Sequence, residues 1–301
     1  MRLLLAVLFA VAAMSARAEE TPKTALVIHG GAGVIERSAL SAEDELGVRA
    51  DLERALDAGN AILAEGGNAL DAVEAAIRIL EDSPRFNAGK GAVFDADGGH
   101  QLDASVMEGH TRRAGAVAGV RTVRHPISLA RAVMEESPHV MLAGAGAERF
   151  ADTLPAIERV PNDWFDTPRR RQDLERVQQR ERDAKNAGLP PPPGTYFGTV
   201  GAVALDRHGH IAAATSTGGM TNKKWNRIGD SLAAAAEEVV NKIVPGLGGD
   251  GGAIALDRDG NIAMPFNTSG MYRAWIRPDG SRGTAIFRDE GGAGEGSTGW
   301  N

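Results

Sequence analysis

Gly198-Thr199-Val200-Gly201-Ala202-Val203-Ala204-Leu205-Asp206-Arg207-His208-Gly209-His210-Ile211-Ala212 is an apolar run of small and β-branched residues, broken once by a D-R-x-G turn. The pattern is strand, tight turn, strand, and Gly209 supplies the positive φ that a tight hairpin favours. The text returns as Gly252-Ala-Ile-Ala-Leu-Asp257-Arg-Asp-Gly260-Asn-Ile-Ala263, and the match resumes at Thr217/Thr268, Gly219/Gly270 and Met220/Met271. Two such hairpins predict a sheet that needs helices to cover it, and the rest of the chain supplies them in separate blocks. That arrangement is a layered α+β fold.

Working upstream, Ala25-Leu-Val-Ile28 reads as a strand entering a glycine-rich turn, His29-Gly30-Gly31-Ala32-Gly33. One amphipathic helix carries Leu46, Leu52, Leu56, Ile62 and Leu63. A second starts at Asn68 as N-cap with Asp71 behind it, presents Leu70, Val73, Ile77 and Leu80, and stops at Pro84. Short strands are expected near 92–95, 101–107 and 114–120, and helices over Ile127–Glu136 and near 140–152. Another helix is expected over Leu232–Val244. Residues 165–198, with Arg169-Arg170-Arg171 and Pro190 to Pro193, read as a solvated, mobile linker that ends at Gly198-Thr199.

The chain has 301 residues, 43% hydrophobic and 24% charged, enough for a substantial core. A net charge of −7 argues against a nucleic-acid surface, which needs clustered cations. The absence of cysteine excludes disulfides, thiolate catalysis and thiolate metal sites. Arg2, the apolar run Leu3–Ala13 and Ala16-Arg17-Ala18 describe a secretory signal, residues 1–18, cleaved after Ala18. The run is too short to span a bilayer as a helix. The expected product is a secreted or periplasmic protein with no membrane attachment.

Chemistry concentrates around Thr199. A threonine hydroxyl becomes a useful nucleophile when a base takes its proton, and the freed α-amine of the same residue can do so. That amine titrates near pH ~8, so a good fraction is unprotonated at neutral pH. Gly198 leaves the preceding peptide bond unhindered. A Gly-Thr pair opening a strand is on its own no more than a strand start. It is accompanied by Thr215-Ser216-Thr217-Gly218-Gly219-Met220-Thr221-Asn222-Lys223 and Arg227-Ile228-Gly229-Asp230-Ser231. An arginine can clamp a carboxylate with two parallel bonds and an aspartate can hold an ammonium. The same cluster is equally compatible with a surface turn carrying an ordinary ion pair. No G-x-S-x-G, G-x-x-x-x-G-K-[ST] or H-E-x-x-H occurs, and H-G-G-A-G does not extend into G-x-G-x-x-G, so it reads as a structural turn and a catalytic zinc is not expected.

G-T-V-G-A-V-A-L-D, T-S-T-G-G-M-T-N-K, R-I-G-D-S, G-G-D-G-G-A-I-A-L-D and P-F-N-T-S-G-M-Y-R together resemble the plant-type asparaginase and isoaspartyl peptidase family. So do I-H-G-G-A-G, F-N-A-G-K-G-A-V-F at 86–94 and L-D-A-S-V-M at 102–107. The matches run in order through nearly the whole chain after residue 18. The resemblance implies a four-layer αββα sandwich of the N-terminal nucleophile hydrolase type. It also implies self-cleavage before Thr199 into an alpha subunit (19–198) and a beta subunit (199–301), assembled as a dimer of heterodimers. It makes Thr199 the nucleophile, Thr217 and Asn87 its supports, Arg227 the binder of the substrate α-carboxylate and Asp230 the partner of its α-amine. No cofactor is implied. A structural sodium is, held by main-chain carbonyls of Leu80, Glu81, Ser83, Phe86, Ala88 and Lys90.

The chain departs from the family at one place. Ser231 runs directly into Leu232-Ala-Ala-Ala-Ala-Glu237, where the family has several dozen further residues carrying a threonine and glycine that hold the oxyanion. The expected activity is hydrolysis of β-aspartyl peptides and of L-asparagine to L-aspartate, on small-molecule substrates. A glycosylasparaginase-like amidase and a catalytically impaired or inactive remnant are the alternatives.

Overall fold

The computed structural model describes residues 23–33, 35–190, 198–224 and 251–290. Its centre is an eight-stranded sheet in the order β10-β9-β1-β5-β6-β2-β3-β4. These strands are β1 (Ala25–Gly33), β2 (Leu102–Glu108), β3 (Ala114–Val120), β4 (Met141–Ala143), β5 (Val200–Leu205), β6 (Ile211–Thr217), β9 (Gly270–Ile276) and β10 (Arg282–Phe287). All neighbours are antiparallel except β3 and β4.

Alternation along the central strands divides the molecule. Leu26, Ile28, Val200, Ala202 and Ala204 join one core, which includes the helices, while Val27 belongs with Ile254, Met264, Met271, Trp275 and Ala285 in a second. The second core is closed by β7 (Ala255–Leu256) and β8 (Ile262–Ala263), which form a separate two-stranded sheet. Among the described residues the layers are therefore helices, large sheet and small sheet. The helix expected over 232–244 lies outside them.

Helix α1 (Ala42–Ala64) starts where Ser41 Oγ accepts from the Asp44 amide at 3.0 Å, with Glu43, Asp44 and Glu45 in the positive first turn. Its buried residues include Leu52, Leu56 and Leu63, but Leu46, expected on that face, is 70% exposed. Leu46 lies ahead of the first buried residue of the helix, Val48. Helix α2 (Ala69–Asp82) begins as read: Asn68 Oδ1 accepts from the Asp71 amide at 2.8 Å, and Leu70, Val73, Ile77 and Leu80 are buried. Helices α3 (Pro126–Glu136) and α4 (Gly144–Asp152) follow, the first opened by its proline.

The hairpin repeat is real at the level of single bonds. Asp206 Oδ1 accepts from the amides of His208 and His210, and Asp257 Oδ1 from those of Asp259 and Asn261. Gly209 and Gly260 have φ of 74° and 82°. The copies differ in burial: Asp206 is fully buried and its Oδ2 also accepts from the Ala69 amide, the first of α2.

Three expectations are corrected. The stretch from 165, expected as a mobile linker, contains helix α5 (Pro168–Asn186), capped by Thr167 and opened by Pro168. Arg170 Nε donates to the Gly91 carbonyl at 2.8 Å and Leu174 is buried, so the helix is docked through a few residues while the rest stays in water. His29–Gly33 is not a turn but the end of β1, which pairs on both sides and shifts register between His29 and Gly31. Residues 92–95 form no strand; Asp95 makes a single bridge to Lys223.

Candidate active site

The β5–β6 ladder runs to Val200 opposite Ser216, so one further step of its register sets Thr199 abreast of Thr217. From the other side, β1 pairs His29 with Gly201, and the same extension brings Gly31 and Ala32 to Thr199 and Gly198. Side-chain space agrees. A Cβ on Gly198 would stand 2.5 Å from the Ala32 amide nitrogen and 2.7 Å from its carbonyl oxygen. Two backbones thus touch at the Gly198-Thr199 junction, and glycine on both makes that possible.

Thr217 and Asn87 meet at one residue. Thr217 Oγ1 accepts from the Gly219 amide at 3.0 Å, and Asn87 Nδ2 donates to the Gly219 carbonyl at 2.8 Å. The Asn87 carbonyl accepts from the Gly218 amide at 3.0 Å, its Oδ1 from the Val93 amide at 3.0 Å, and Lys223 Nζ donates to the Gly218 carbonyl at 2.7 Å. The Asn87 side-chain amide is thereby held at its oxygen and at its nitrogen, and the loop after β6 is closed on the loop after α2. Thr199, Thr217 and Asn87 occupy one end of the large sheet. Arg227 and Asp230 lie outside the described residues.

Two buried titratable groups beside this end escaped the sequence reading. His29 lies over Gly201, where a Cβ would strike its ring, and its Nδ1 has no hydrogen-bond partner among the described residues. Burial lowers its pKa to about 4, so the ring is neutral at pH 7. Glu81, fully buried, accepts from Ser216 Oγ at 2.6 Å and from the Ile127 amide at 3.1 Å. Burial raises its pKa to about 8, against the lowering effect of those two bonds, and Asp82 and Glu74 add to the rise. A neutral acid thus pins the residue next to Thr217. The signal for both was tertiary; nothing local marks them.

The loop after α2 was expected to offer carbonyls to a sodium ion. A Cβ on Gly89 would fall on the Glu81 carbonyl, and one on Gly91 on the Phe86 carbonyl and 2.8 Å from that of Pro84. Three carbonyls of this loop thus pack directly against its two glycines. The Leu80 and Ala88 carbonyls each accept one amide, from Ser83 and Gly91, which leaves each a second lone pair. The Lys90 ammonium donates to the Trp164 carbonyl. Among the described residues no group of three or more histidines or carboxylates is placed to hold a metal.

A family model described as Asparaginase matches residues 22–233 and 231–286. The chain is 43% identical to an isoaspartyl peptidase of Salmonella typhimurium over 312 residues, covering 89% of this chain and 99% of that protein. It is 43% identical to the isoaspartyl peptidase of Escherichia coli over 316 residues, with 89% and 98% covered. It is 42% identical to the human isoaspartyl peptidase/L-asparaginase over 206 residues, with 68% and 64% covered. The two bacterial alignments are longer than the 301 residues of this chain, so both relatives carry residues that it lacks. The two stretches of the family match overlap at residues 231–233.

Proposed function

The chain belongs to the asparaginase family, and on that premise we propose that it hydrolyses β-aspartyl peptides and L-asparagine to L-aspartate, using Thr199 freed by self-cleavage after Gly198. The observation that carries the reading is the junction itself: Gly198 against Gly31 and Ala32, with Thr199 one register step from Thr217.

Thr199 Oγ attacks the substrate side-chain carbonyl while the Thr199 α-amine takes its proton. The amine returns that proton to the leaving nitrogen, ammonia or an amino acid departs, and water hydrolyses the β-aspartyl ester. Thr217 and Asn87 hold the ground around the nucleophile through Gly219. Arg227 clamps the substrate α-carboxylate and Asp230 its α-ammonium. No step requires a cofactor. The carbonyls of Leu80, Glu81, Ser83, Phe86, Ala88 and Lys90 would hold a sodium ion that stiffens the loop carrying Asn87. The αββα layering, the pairing of two αβ heterodimers and export directed by residues 1–18 belong to the same proposal.

The experiment is release of amino acid from a β-aspartyl dipeptide and of ammonia from asparagine by purified protein, with calorimetric binding of aspartate. Arg227→Lys should weaken aspartate binding although charge is kept, because the bidentate fork is lost. Unchanged affinity removes Arg227 from the site.

The impaired-enzyme reading has its own support in the residues that the relatives carry and this chain lacks. Developing charge on the carbonyl oxygen is stabilised by fixed donors, and loss of one costs ~10²–10³ in kcat. We infer slow turnover rather than none.

A further inference from the structure

One peptide unit of the loop after β6 is gripped at both ends. Its N–H, that of Gly219, donates to Thr217 Oγ1 at 3.0 Å, and its oxygen, the Gly218 carbonyl, accepts from Lys223 Nζ at 2.7 Å. Lys223 is only 3% exposed, deep for an ammonium, and a buried carboxylate lies beside it. Asp95 faces Lys223 across a backbone bridge, and the Ala96 amide donates to the Lys223 carbonyl at 3.0 Å. Burial pushes the Asp95 carboxyl up, but the Gly99 amide and the Arg121 and Lys223 cations outweigh it and hold the carboxyl below its usual range. Asn87 fixes the peptide units on either side: its carbonyl accepts from the Gly218 amide and its Nδ2 donates to the Gly219 carbonyl. The gripped peptide therefore cannot swing away from the lysine.

We propose that Lys223 is a positioning residue for the Thr217 hydroxyl: through the Gly218–Gly219 peptide it fixes the direction in which that hydroxyl donates. The inference rests on the threonine-hydrolase reading. A cation on a peptide oxygen polarises the unit and strengthens its N–H as a donor. That donor fills one lone pair of Thr217 Oγ1 and turns the hydroxyl hydrogen away from Gly219. One further step of the β5–β6 register sets Thr199 abreast of Thr217. Directly opposed residues of an antiparallel ladder share a face, with Cβ atoms about 4.5–5.5 Å apart. The hydrogen is thereby left to serve the nucleophile, and Lys223 acts without touching substrate.

Lys223→Met keeps a long unbranched side chain and removes the donor. Turnover of a β-aspartyl dipeptide, counted per chain with a free Thr199, is expected to fall about tenfold in kcat with KM within about twofold, the signature of lost chemistry rather than lost binding. Lys223→Gln, which keeps a neutral donor, should fall between. The Gly219 amide reports the grip without turnover. Its proton resonance should move upfield and its exchange should quicken in both variants, more in Lys223→Met. Should Lys223→Met not fold, Lys223→Gln carries the same readouts. A Gly219 amide unchanged in the variants overturns the role whatever the turnover. A rise in KM at constant kcat also overturns it, as does an equal loss of kcat in Lys223→Gln and Lys223→Met. A wild type that neither cleaves itself nor hydrolyses the dipeptide overturns the hydrolase reading and this role with it.

Discussion

Gly31 and Gly198 meet backbone to backbone: a Cβ on Gly31 would stand 2.8 Å from the Cα of Gly198. Gly31 also has a φ of 113°, a region that side chains other than glycine rarely enter. Gly31→Ala therefore combines backbone strain with a push on the junction at which cleavage is proposed. The expected outcome is a loss of about 1–3 kcal/mol in stability and slower self-cleavage, read by denaturant melts and by electrophoresis over time. Wild-type cleavage in a destabilised variant would separate the strain from the junction.

His29 gives a pH dependence. Its folded pKa of about 4 lies below the ordinary 6.5, because burial disfavours the charged ring. The unfolded chain therefore binds a proton below pH 6.5 that the folded chain refuses. Stability falls as pH drops from 6.5 toward 4, at up to about 1.4 kcal/mol per pH unit, and levels off below. His29→Gln should flatten that limb of the stability curve.

The two hairpin turns make an internal control. Asp206, fully buried, serves the amides of His208, His210 and Ala69; Asp257, half-buried, serves only its own turn among the described residues. Asp206→Ala should cost about 2–4 kcal/mol, since three donors lose one acceptor and the first amide of α2 is left buried. Asp257→Ala should cost about 1 kcal/mol or less, because water replaces the lost bonds. Equal losses would contradict the burial difference.

The segment proposed to be missing after Ser231 predicts a rate. Grafting a family-typical segment between Ser231 and Leu232 should raise kcat on a β-aspartyl dipeptide by about 10²-fold or more, as restored oxyanion donors would. Turnover unchanged by the graft, and equal to that of the relatives, would show that other residues supply those donors.

What was legible in the sequence was what local chemistry dictates. Asn68 and Asp71 announce a helix start, and the D-R-x-G turns announce hairpins whose bonds repeat atom for atom. The glycines of His29–Gly33 suggest a turn in the sequence, because glycine usually breaks strands. Here they let β1 run between two neighbours and press on Gly198. Helix α5 resembles a linker in the sequence, because a charged, poorly apolar segment looks alike whether coiled or helical in water. Its anchor, Arg170 on the Gly91 carbonyl, links residues distant in sequence. Glu81 looks like any helix acid until Ser216 is found against it.

Self-cleavage, as proposed, makes Thr199 a chain end. Purified protein, incubated at neutral pH and analysed by intact mass and N-terminal sequencing, should resolve into two chains, the smaller beginning Thr-Val-Gly-Ala. Thr199→Ala should remain one chain, having no hydroxyl to start the acyl shift. A wild-type protein that stays whole after long incubation, or that is cut at another residue, would contradict the account.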